Sequence, residues 1–423
     1  MNVLVIGSGG REHALCWKIK QSSRIGNLFC APGNGGTAQD AVNIDLDVTE
    51  HKNVIGFCKD KEIDLVVVGP EAPLAVGITD HLEAEGIKVF GPSYAASRME
   101  SSKIFAKELM GRYDIPTAGF RVFDDLEKTK SYLSSSNFPV VVKAYGLAAG
   151  KGVIIAETQG EAEAAAEDML VTKVFGPAGN KIIIEEFLVG EEVSLLVVTD
   201  GINAIPLATS QDHKCIHDGD KGPNTGGMGA YSPAPVMNEE LLKEVMQTIV
   251  HPTLGGLTKE EILYKGVLFF GLILTASGPK LLEYNVRFGD PETQVVLPRL
   301  KSDLLDLLVA TAEGDISGIT LDWEEEACVC VVLAAGGYPA AYEKGKRIEG
   351  VDAAASEGAI VFHAGTKIEE NELLTSGGRV LGVAGKGKNI QEATKKAYKA
   401  VEKIHFDGMQ YRKDIGHRAL SRV

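Results

Sequence analysis

Short apolar runs alternate with helical patterns throughout the first hundred residues of this chain. Segments such as 11–21 have the apolar spacing of a helix, and they separate the apolar runs 3–6, 28–31, 65–68 and 88–90. Strands that alternate with helices predict a doubly wound parallel sheet. Each run ends in a glycine-containing loop, and such loops meet at the carboxyl edge of a parallel sheet, where ligands bind. We therefore expect residues 1–102 to form a substrate-binding α/β domain.

The first of these loops, Gly7-Ser-Gly-Gly-Arg-Glu-His13, follows a strand and opens a helix. A dinucleotide-binding loop would carry a third glycine at position 12, where this chain has Glu12, so a pyrophosphate is disfavoured. Free backbone N–H groups at a helix N-terminus, with Arg11 beside them, favour a phosphate monoester. The alternative is an ordinary strand-to-helix turn with a surface arginine.

A second glycine-rich segment runs from Lys143 to Gly152, between two apolar runs. It departs from the P-loop pattern because Gly152 occupies the Ser/Thr position and the segment does not open a helix. A glycine-rich flap can lay its amides over triphosphate oxygens while Lys143 and Lys151 offset their charge. We interpret residues 117–190 as a small mobile α+β lid over a nucleotide, with a plain β-hairpin as the alternative.

Another apolar run ends in a carboxylate and a carboxamide, Glu283 and Asn285. Strand side chains alternate between two faces, so these two residues and Arg287 are expected on the same face. Carboxylate and amide oxygens are the hard ligands that Mg²⁺ prefers. The pattern predicts a site where a metal-bound phosphate lies next to a guanidinium. The alternative is a strand end with solvated polar residues.

The loop over residues 211–229 concentrates polar groups and glycines. Glycines let the backbone approach a small ligand closely, and Asp212 would hold an amine. His213 and His217 have the i, i+4 spacing of helical zinc ligands, but the Gly and Pro that follow favour irregular backbone, so substrate capture is preferred to zinc. Upstream, an extended acidic segment ends near Glu192, which fits the ribose hydroxyls of a nucleotide.

Charge and hydropathy exclude several classes of function. With 58 acidic and 43 basic residues the net charge is −15, which argues against a nucleic-acid-binding surface. No apolar run reaches the ~18–20 residues that span a bilayer, and the N-terminus enters a strand without a basic leader. The six cysteines lack CxxC spacing, which indicates reduced thiols. A cytoplasmic protein that binds neither nucleic acid nor membrane is expected.

Five segments follow one another in a characteristic order: 7–15, 69–74, 143–153, 224–233 and Arg287-Phe-Gly-Asp-Pro-Glu292. Together they resemble the glycinamide ribonucleotide synthetases, a family of ATP-grasp enzymes, over essentially the whole chain. The resemblance implies an α/β and α+β multidomain fold, with an ATP-grasp domain over 103–325 and a β-rich C-terminal domain over 326–423. Two features depart from the pattern. Tyr145 stands where relatives often carry aspartate, and residues 264–274 present no acid to the site.

The resemblance also implies roles for individual residues. Glu283 and Asn285 would hold Mg²⁺ or Mn²⁺, and Arg287, Lys143 and Asn224 would act in catalysis. ATP would be contacted by Lys103, Lys143, Gly150, Lys151, Glu185, Phe187, Leu188 and Glu192. Glycine and 5-phosphoribosylamine would be contacted by Gly9, Gly10, Arg11, Glu12, Pro70, Glu71, Asp212, Gly226, Gly227 and Arg287.

The implied reaction activates glycine with ATP as glycyl phosphate, from which the amine of 5-phosphoribosylamine displaces phosphate. Such phosphoryl transfer depends on positioning and charge rather than on a nucleophile–base pair. A carboxylase or formyl-transferring ATP-grasp enzyme would use bicarbonate or formate instead of glycine. A dinucleotide-binding oxidoreductase and a non-catalytic nucleotide sensor are the alternatives from other classes. We expect a monomer or a weak homodimer.

Overall fold

The computed structural model describes residues 1–146 and 152–422, and its first hundred residues form a five-stranded parallel sheet. The strands are β1 (Asn2–Gly7), β2 (Asn27–Pro32), β3 (Val42–Asn43), β4 (Leu65–Val68) and β5 (Val89–Phe90), in the order β3-β2-β1-β4-β5. The helices are α1 (Gly10–Ile19), α2 (Thr37–Asp40), α3 (His51–Asp60), α4 (Glu71–Ala75), α5 (Ile78–Ala84) and α6 (Tyr94–Ser101). The predicted parallel sheet is confirmed.

Alternate residues of the parallel strands lie in two different cores. Leu4 and Val66 pack on one side of the sheet, whereas Val5 and Val67 pack on the other. Both faces are therefore covered, which explains why the strands read as continuous apolar runs rather than as an apolar/polar alternation.

A second unit contains helix α7 and a four-stranded antiparallel sheet. Its elements are α7 (Lys103–Arg112), β6 (Phe120–Phe123), α8 (Leu126–Leu133), β7 (Val140–Ala144), β8 (Val153–Ala156), α9 (Gln159–Leu170) and β9 (Ile182–Glu186), and the sheet order is β6-β9-β7-β8. The sheet shares a core with helices α8 and α9, and this core includes Val142, Met169 and Ile184. Gly150 and Lys151, assigned to the flap between β7 and β8, lie outside the described residues.

The middle of the chain builds a larger antiparallel sheet. Its strands and their neighbours are β10 (Glu191–Thr199), β11 (Ala204–Pro206), β12 (Gln211–Asp212), β13 (Cys215–His217), β14 (Lys221–Asn224), β15 (Gly229–Ser232), β16 (Gly266–Thr275) and β17 (Gly278–Asn285). The four-stranded sheet has the order β11-β10-β16-β17. The helices are α10 (Glu239–Val245), α11 (His251–Lys259), α12 (Thr293–Val296) and α13 (Leu304–Glu313).

The C-terminal part contributes two sheets. Its elements are β18 (Ala327–Ala334), α14 (Val351–Ser356), β19 (Ile360–His363), β20 (Thr366–Glu369), β21 (Glu372–Thr375), β22 (Arg379–Gly387), α15 (Ile390–Val401) and α16 (His417–Leu420). The larger sheet has the order β12-β15-β18-β22-β19, so β15, at the end of the predicted substrate loop, pairs with the C-terminal strand β18. That loop is thereby anchored to the C-terminal part of the chain. Across residues 1–146 and 152–422, no helix has the length and apolar character needed to cross a membrane.

Candidate functional site

A cavity of about 620 Å³ lies where the N-terminal sheet, the lid, strand β17 and the C-terminal sheet meet. Charged side chains from all four regions line it. The carboxylates are Glu71, Glu100, Glu185, Asp212, Glu283, Asp290 and Glu292, and the cations are Arg11, Lys103, Lys107, Lys143, Lys214, Arg287 and Arg379. A cavity with such a balance of both signs suits ligands that carry phosphate, carboxylate, ammonium and metal charges together.

Strand β17 carries the predicted metal pair to the cavity. Its pairing with β16 shifts by one residue. Gly271 lies opposite Glu283, but the next residue of β16, Leu272, lies opposite Leu281. Beyond this irregularity the two-residue alternation holds, and both Glu283 and Asn285 line the cavity. Phe269 lies opposite Asn285, so the neighbouring strand presents an aromatic ring there instead of an acid.

Arg287 lies beside this pair, on the same side of the chain as the sequence predicted. Its Nη2 donates to Asn285 Oδ1 at 3.1 Å and lies 3.2 Å from Glu100 Oε1, while its Nε is 3.5 Å from Glu71 Oε2. Burial raises the pKa of Glu71, but Arg287 and Arg11 outweigh it and hold that pKa below its ordinary value. The guanidinium is thus oriented by two carboxylates from helices α4 and α6.

Glu283 is half-buried and lies among cations. Burial raises its pKa, but Lys214, Lys143 and Lys103 together hold the pKa below its ordinary value, so the carboxylate is ionised at neutral pH. An ionised carboxylate next to a carboxamide oxygen fits a divalent metal that takes its remaining ligands from water and phosphate, as Mg²⁺ does. In the described part of the chain no cluster of three His, Cys, Asp or Glu residues offers another metal site.

The side of the cavity nearest the lid is a network of lysines around Glu185. Lys143 Nζ lies 2.9 Å and Lys107 Nζ lies 3.2 Å from Glu185 Oε2, while Glu185 Oε1 has no hydrogen-bond partner among residues 1–146 and 152–422. Lys103 Nζ donates to Gly146 O at 3.0 Å, which ties helix α7 to the base of the flap. The structure thus brings Lys103, Lys143 and Glu185 together.

Sequence reasoning missed Lys107. Burial lowers its pKa to about 8, with Glu185 opposing that change. The available signal was its position one helical turn after Lys103, since residues i and i+4 share a face of a helix.

Three residues assigned to ATP do not line this cavity. Phe187 and Leu188 follow strand β9 and are half-buried. Glu192 instead accepts a hydrogen bond from Lys214 Nζ at 2.6 Å and lines a neighbouring opening with residues of the C-terminal segment.

The N-terminus of helix α1 is already occupied by the protein's own carboxylates. Gly9 N donates to Glu12 Oε2, and Arg11 Nε to Glu12 Oε1, both at 2.6 Å. A side chain at Gly7 or Gly69 would collide with Glu12, so these glycines make room for that carboxylate. The expectation that free N–H groups here receive a phosphate therefore needs correction at Gly9, whose N–H already has a partner.

A second carboxylate, that of Asp290, approaches the same helix end. Gln294 Nε2 donates to Asp290 Oδ1 at 2.7 Å, and Arg379 Nη2 is 3.4 Å from Asp290 Oδ2. Burial raises the pKa of Asp290, but Arg379, Arg11 and a backbone hydrogen bond from Arg11 hold it below its ordinary value. Of the residues assigned to the substrate in this region, Arg11 and Glu71 line the cavity, whereas Gly9, Gly10, Glu12 and Pro70 do not.

The predicted substrate loop reaches the cavity through Asp212, Lys214, Thr225 and Gly226. Gly227 has φ +113°, and a side chain there would collide with Pro291, so the turn requires glycine.

Asn224 is exposed on β14 and does not line the cavity. His213 is buried and His217 is exposed, and with no third ligand beside them in the described residues a zinc site is not formed.

Arg379, on strand β22, is another cavity residue that sequence reasoning missed. Its Nη1 donates to Gly226 O at 2.6 Å and to Asp290 O at 2.7 Å. It therefore clamps the substrate loop against the segment that follows β17. The local sequence around Arg379 carries no signal for this role, because its partners lie about 90 and 150 residues away.

Comparison with known proteins gives a consistent result. Three family models match: Phosphoribosylglycinamide synthetase, N domain (residues 1–100), ATP-grasp (A) domain (101–293) and C domain (328–418). The chain is 51% identical to the phosphoribosylamine–glycine ligases of Mesorhizobium japonicum, over 422 residues, and Neisseria meningitidis serogroup A, over 424 residues. These alignments cover 100% of this chain and 99% and 100% of the two relatives.

Solved structures agree with the sequence relatives. The phosphoribosylamine–glycine ligase of Thermotoga maritima has a TM-score of 0.86 at 35% identity, covering 98% of this chain and 100% of that one. A biotin carboxylase from Campylobacter jejuni has a TM-score of 0.73 at 15% identity, covering 97% and 92%. The second likeness concerns the fold alone.

Proposed function

Since this chain belongs to the phosphoribosylglycinamide synthetase family, we propose that the cavity between its four regions is the active site of an ATP-dependent ligase. The enzyme joins glycine to 5-phosphoribosylamine in purine biosynthesis. The observation that carries the assignment of the site is the arrangement of Glu283, Asn285 and Arg287 on one cavity wall, with an ionised carboxylate facing lysines.

The family uses ATP with a divalent metal, and we propose Mg²⁺ or Mn²⁺ held by Glu283 and Asn285. When bound, such a metal neutralises phosphate charge and aligns the phosphoryl group for transfer. The protein's own groups supply the rest. Lys103 and Lys143 offset the charge of the triphosphate, and Arg287 orients the carboxylate of glycine beside it.

In the proposed reaction, a carboxylate oxygen of glycine forms a bond to the γ-phosphorus of ATP while the bond from that phosphorus to ADP breaks. The product is glycyl phosphate. The amine nitrogen of 5-phosphoribosylamine then bonds to the carbonyl carbon, phosphate leaves with the electrons of the C–O bond, and the amine releases a proton. An acyl phosphate hydrolyses readily, so the lid over residues 117–190 would exclude water during the reaction.

The remaining assignments are part of the same proposal. ATP would lie between the lid and the larger antiparallel sheet, with Lys103, Lys143 and Glu185 in the cavity and Phe187, Leu188, Glu192, Gly150 and Lys151 at its margin. Arg11, Glu71, Asp212 and Gly226 would contact the other substrates. We also propose domains at 1–102, 103–325 and 326–423, a cytoplasmic location, and a monomer or weak homodimer.

The test is ADP release measured with glycine, with 5-phosphoribosylamine generated in the assay, with both, and with bicarbonate in place of glycine. We expect sustained ADP release only when both substrates are present. Equal release without the amine, or with bicarbonate, would show that the chain has a different activity.

A further inference from the structure

Part of the predicted substrate loop projects as an exposed hairpin. Strands β13 and β14 form a two-stranded sheet of their own, and most of residues 217–224 are exposed. A hairpin of two strands is marginally stable by itself. Its apolar anchor is small, because Ile216 packs in a cluster with Met228 and Ala334. The hairpin is held instead by polar contacts with residues 412–418, which we call the C-terminal clasp.

Two arginines of the C-terminal clasp each contact the loop at two points. Arg412 is fully buried, and its Nη1 donates to Asp220 Oδ1 at 2.8 Å and to Cys215 O at 3.1 Å. Arg418 Nη2 donates to Asp220 Oδ2 at 2.8 Å, and its Nη1 donates to Asp212 O at 3.3 Å. Each guanidinium therefore joins the turn of the hairpin, at Asp220, to the chain that leads into the hairpin.

The clasp also contains two ionised carboxylates. Arg412 Nε and Nη2 donate to the two oxygens of Asp414, both at 2.8 Å, and Gly219 N donates to Asp414 Oδ2 at 2.8 Å. Burial raises the pKa of Asp414, but the hydrogen bonds from Arg412 and Gly219 hold that pKa well below its usual range. Burial also raises the pKa of Asp220, but Arg418 and Arg412 hold it below its ordinary value. The ion pairs of the clasp are therefore intact at neutral pH.

The same loop faces the cavity on its other side. Lys214, Thr225 and Gly226 line the cavity, whereas the two clasp arginines do not. Thr225 N and Thr225 Oγ1 donate to Lys214 O at 2.8 and 2.7 Å, so the two ends of the hairpin are tied together at its base. A shift of the hairpin would therefore displace groups that line the cavity.

Resting on the proposed function, we propose that Arg412 and Arg418 are positioning residues of the ligase. They hold the loop from outside the cavity, through Asp220, and thereby fix where Lys214 and Gly226 lie relative to glycine and 5-phosphoribosylamine. The residues assigned to ATP in the cavity belong to helix α7 and the lid strands β7 and β9. The clasp should therefore affect the use of the other two substrates and not the binding of ATP.

The test uses the full chain with Arg418→Gln, with Asp220→Asn and with both substitutions together. Arg418 is the arginine to replace because its side chain is 24% exposed, whereas Arg412 is fully buried and its loss endangers folding. Asp220→Asn keeps the shape of the side chain and removes its charge. If one single variant does not fold, the other decides the question alone.

Two matched controls remove exposed charges elsewhere. Lys399→Gln removes a cation paired with Glu357, and Glu313→Gln removes a surface carboxylate paired with Lys88. Rates of ADP release give kcat and KM for each of the three substrates in every variant. Thermal unfolding confirms that each variant is folded.

We expect each single variant to lose about ten- to a hundredfold in kcat/KM for glycine and for 5-phosphoribosylamine, since a displacement of about 1 Å at the reacting groups has a cost of that order. KM for ATP should stay at the wild-type value, and both controls should match the wild type. The double variant should lose no more than the more affected single variant, because both substitutions remove the same contact.

Three results would overturn the inference. The first is wild-type kinetics in both single variants. The second is an equal rise in KM for all three substrates, which indicates a general loss of structure. The third is losses that add in the double variant, because Arg418 and Asp220 would then act independently.

The clasp and the proposed function fail in different ways. A wild-type enzyme that releases ADP without glycine contradicts the proposed function. A wild-type enzyme that requires both glycine and the amine, with clasp variants that keep wild-type kinetics, contradicts only the role of the clasp.

Discussion

The end of strand β17 and the N-terminus of helix α1 are both marked in the sequence as places where charged ligands bind, yet they differ in what they hold. At the strand end, Glu283 and Asn285 face the cavity without an ion pair to Glu283 in the described residues. At the helix end, Gly9 N and Arg11 Nε are both bonded to Glu12, and Asp290 approaches from the other side. One place is open to ligands and the other is filled by the protein.

A motif therefore indicates which kind of group can bind at a position, but not whether that position is still free to bind a ligand. Backbone N–H groups at a helix N-terminus attract any anion, and a carboxylate of the same chain satisfies them as well as a phosphate does. At an open site, by contrast, a charged group has no ion-pair partner from the protein until a ligand binds. Neutralising a carboxylate should therefore destabilise the protein where the carboxylate is paired, as at Glu12, and stabilise it where burial raises the pKa of the carboxylate, as at Asp212.

The largest effect is expected for Asp212→Asn. The folded-state pKa of Asp212, about 7, exceeds the ordinary value of 3.8, so ionisation costs stability as the pH rises from about 4 to about 7. Removing the carboxylate should raise stability increasingly over that range and by a constant amount above it, with an upper bound of about 4 kcal/mol. Thermal unfolding at pH 5 and pH 8 measures this. A gain that is equal at both pH values would contradict the raised pKa of Asp212.

Next in size is the loss of activity in Glu283→Gln. The substitution keeps the shape of the side chain but removes the charge proposed to hold the metal, so folding should survive while turnover falls by about 10²-fold or more. The measurement is ADP release as a function of Mg²⁺ concentration, with Glu313→Gln as the control. Near-normal turnover at limiting Mg²⁺ would place the metal elsewhere.

At the filled site, Glu12→Gln should destabilise the protein instead of stabilising it. Glu12 is 1% exposed and pairs with Arg11, which is itself 7% exposed, so the variant leaves a buried guanidinium without its charge partner. We expect a loss of about 2 kcal/mol, seen as a lower unfolding midpoint. Glu85→Gln, at an exposed ion pair with Lys59, provides the control and should not shift it. Tighter binding of 5-phosphoribosylamine in Glu12→Gln would show that phosphate competes for this helix end.

The smallest effect is expected for Arg11→Ala. Arg11 lines the cavity but spends part of its hydrogen-bonding capacity on Glu12 and on Phe288 O, 3.0 Å away. We expect about a tenfold higher KM for 5-phosphoribosylamine and an unchanged KM for ATP, because one charge-assisted contact is lost. The reverse pattern, with ATP affected and the amine spared, would move the phosphate site away from the N-terminal sheet.

Much of the fold followed from local patterns. Strand β4 lies at the predicted residues 65–68, and helix α13 begins directly after Asp303, which caps it by accepting a hydrogen bond from Leu305 N. The pairing of β15 with β18, which joins β12 and β15 to the C-terminal sheet, was not predicted, since a strand of four residues carries little pattern and its partner is about 100 residues away.

The sequence by itself determined which residue types meet at strand β17, because period-two alternation and the ligand preferences of Mg²⁺ are local and chemical rules. It also carried enough motifs in order to place the chain in its family. The tertiary structure alone decided that Asp290 and Glu12 fill the end of helix α1, that Lys107 and Arg379 enter the cavity, and that Asp212 and Glu292 have no ion-pair partner in the part of the chain that the structure describes. Whether a charge is paired or free depends on groups brought together across as many as 280 residues, and no local pattern records that proximity.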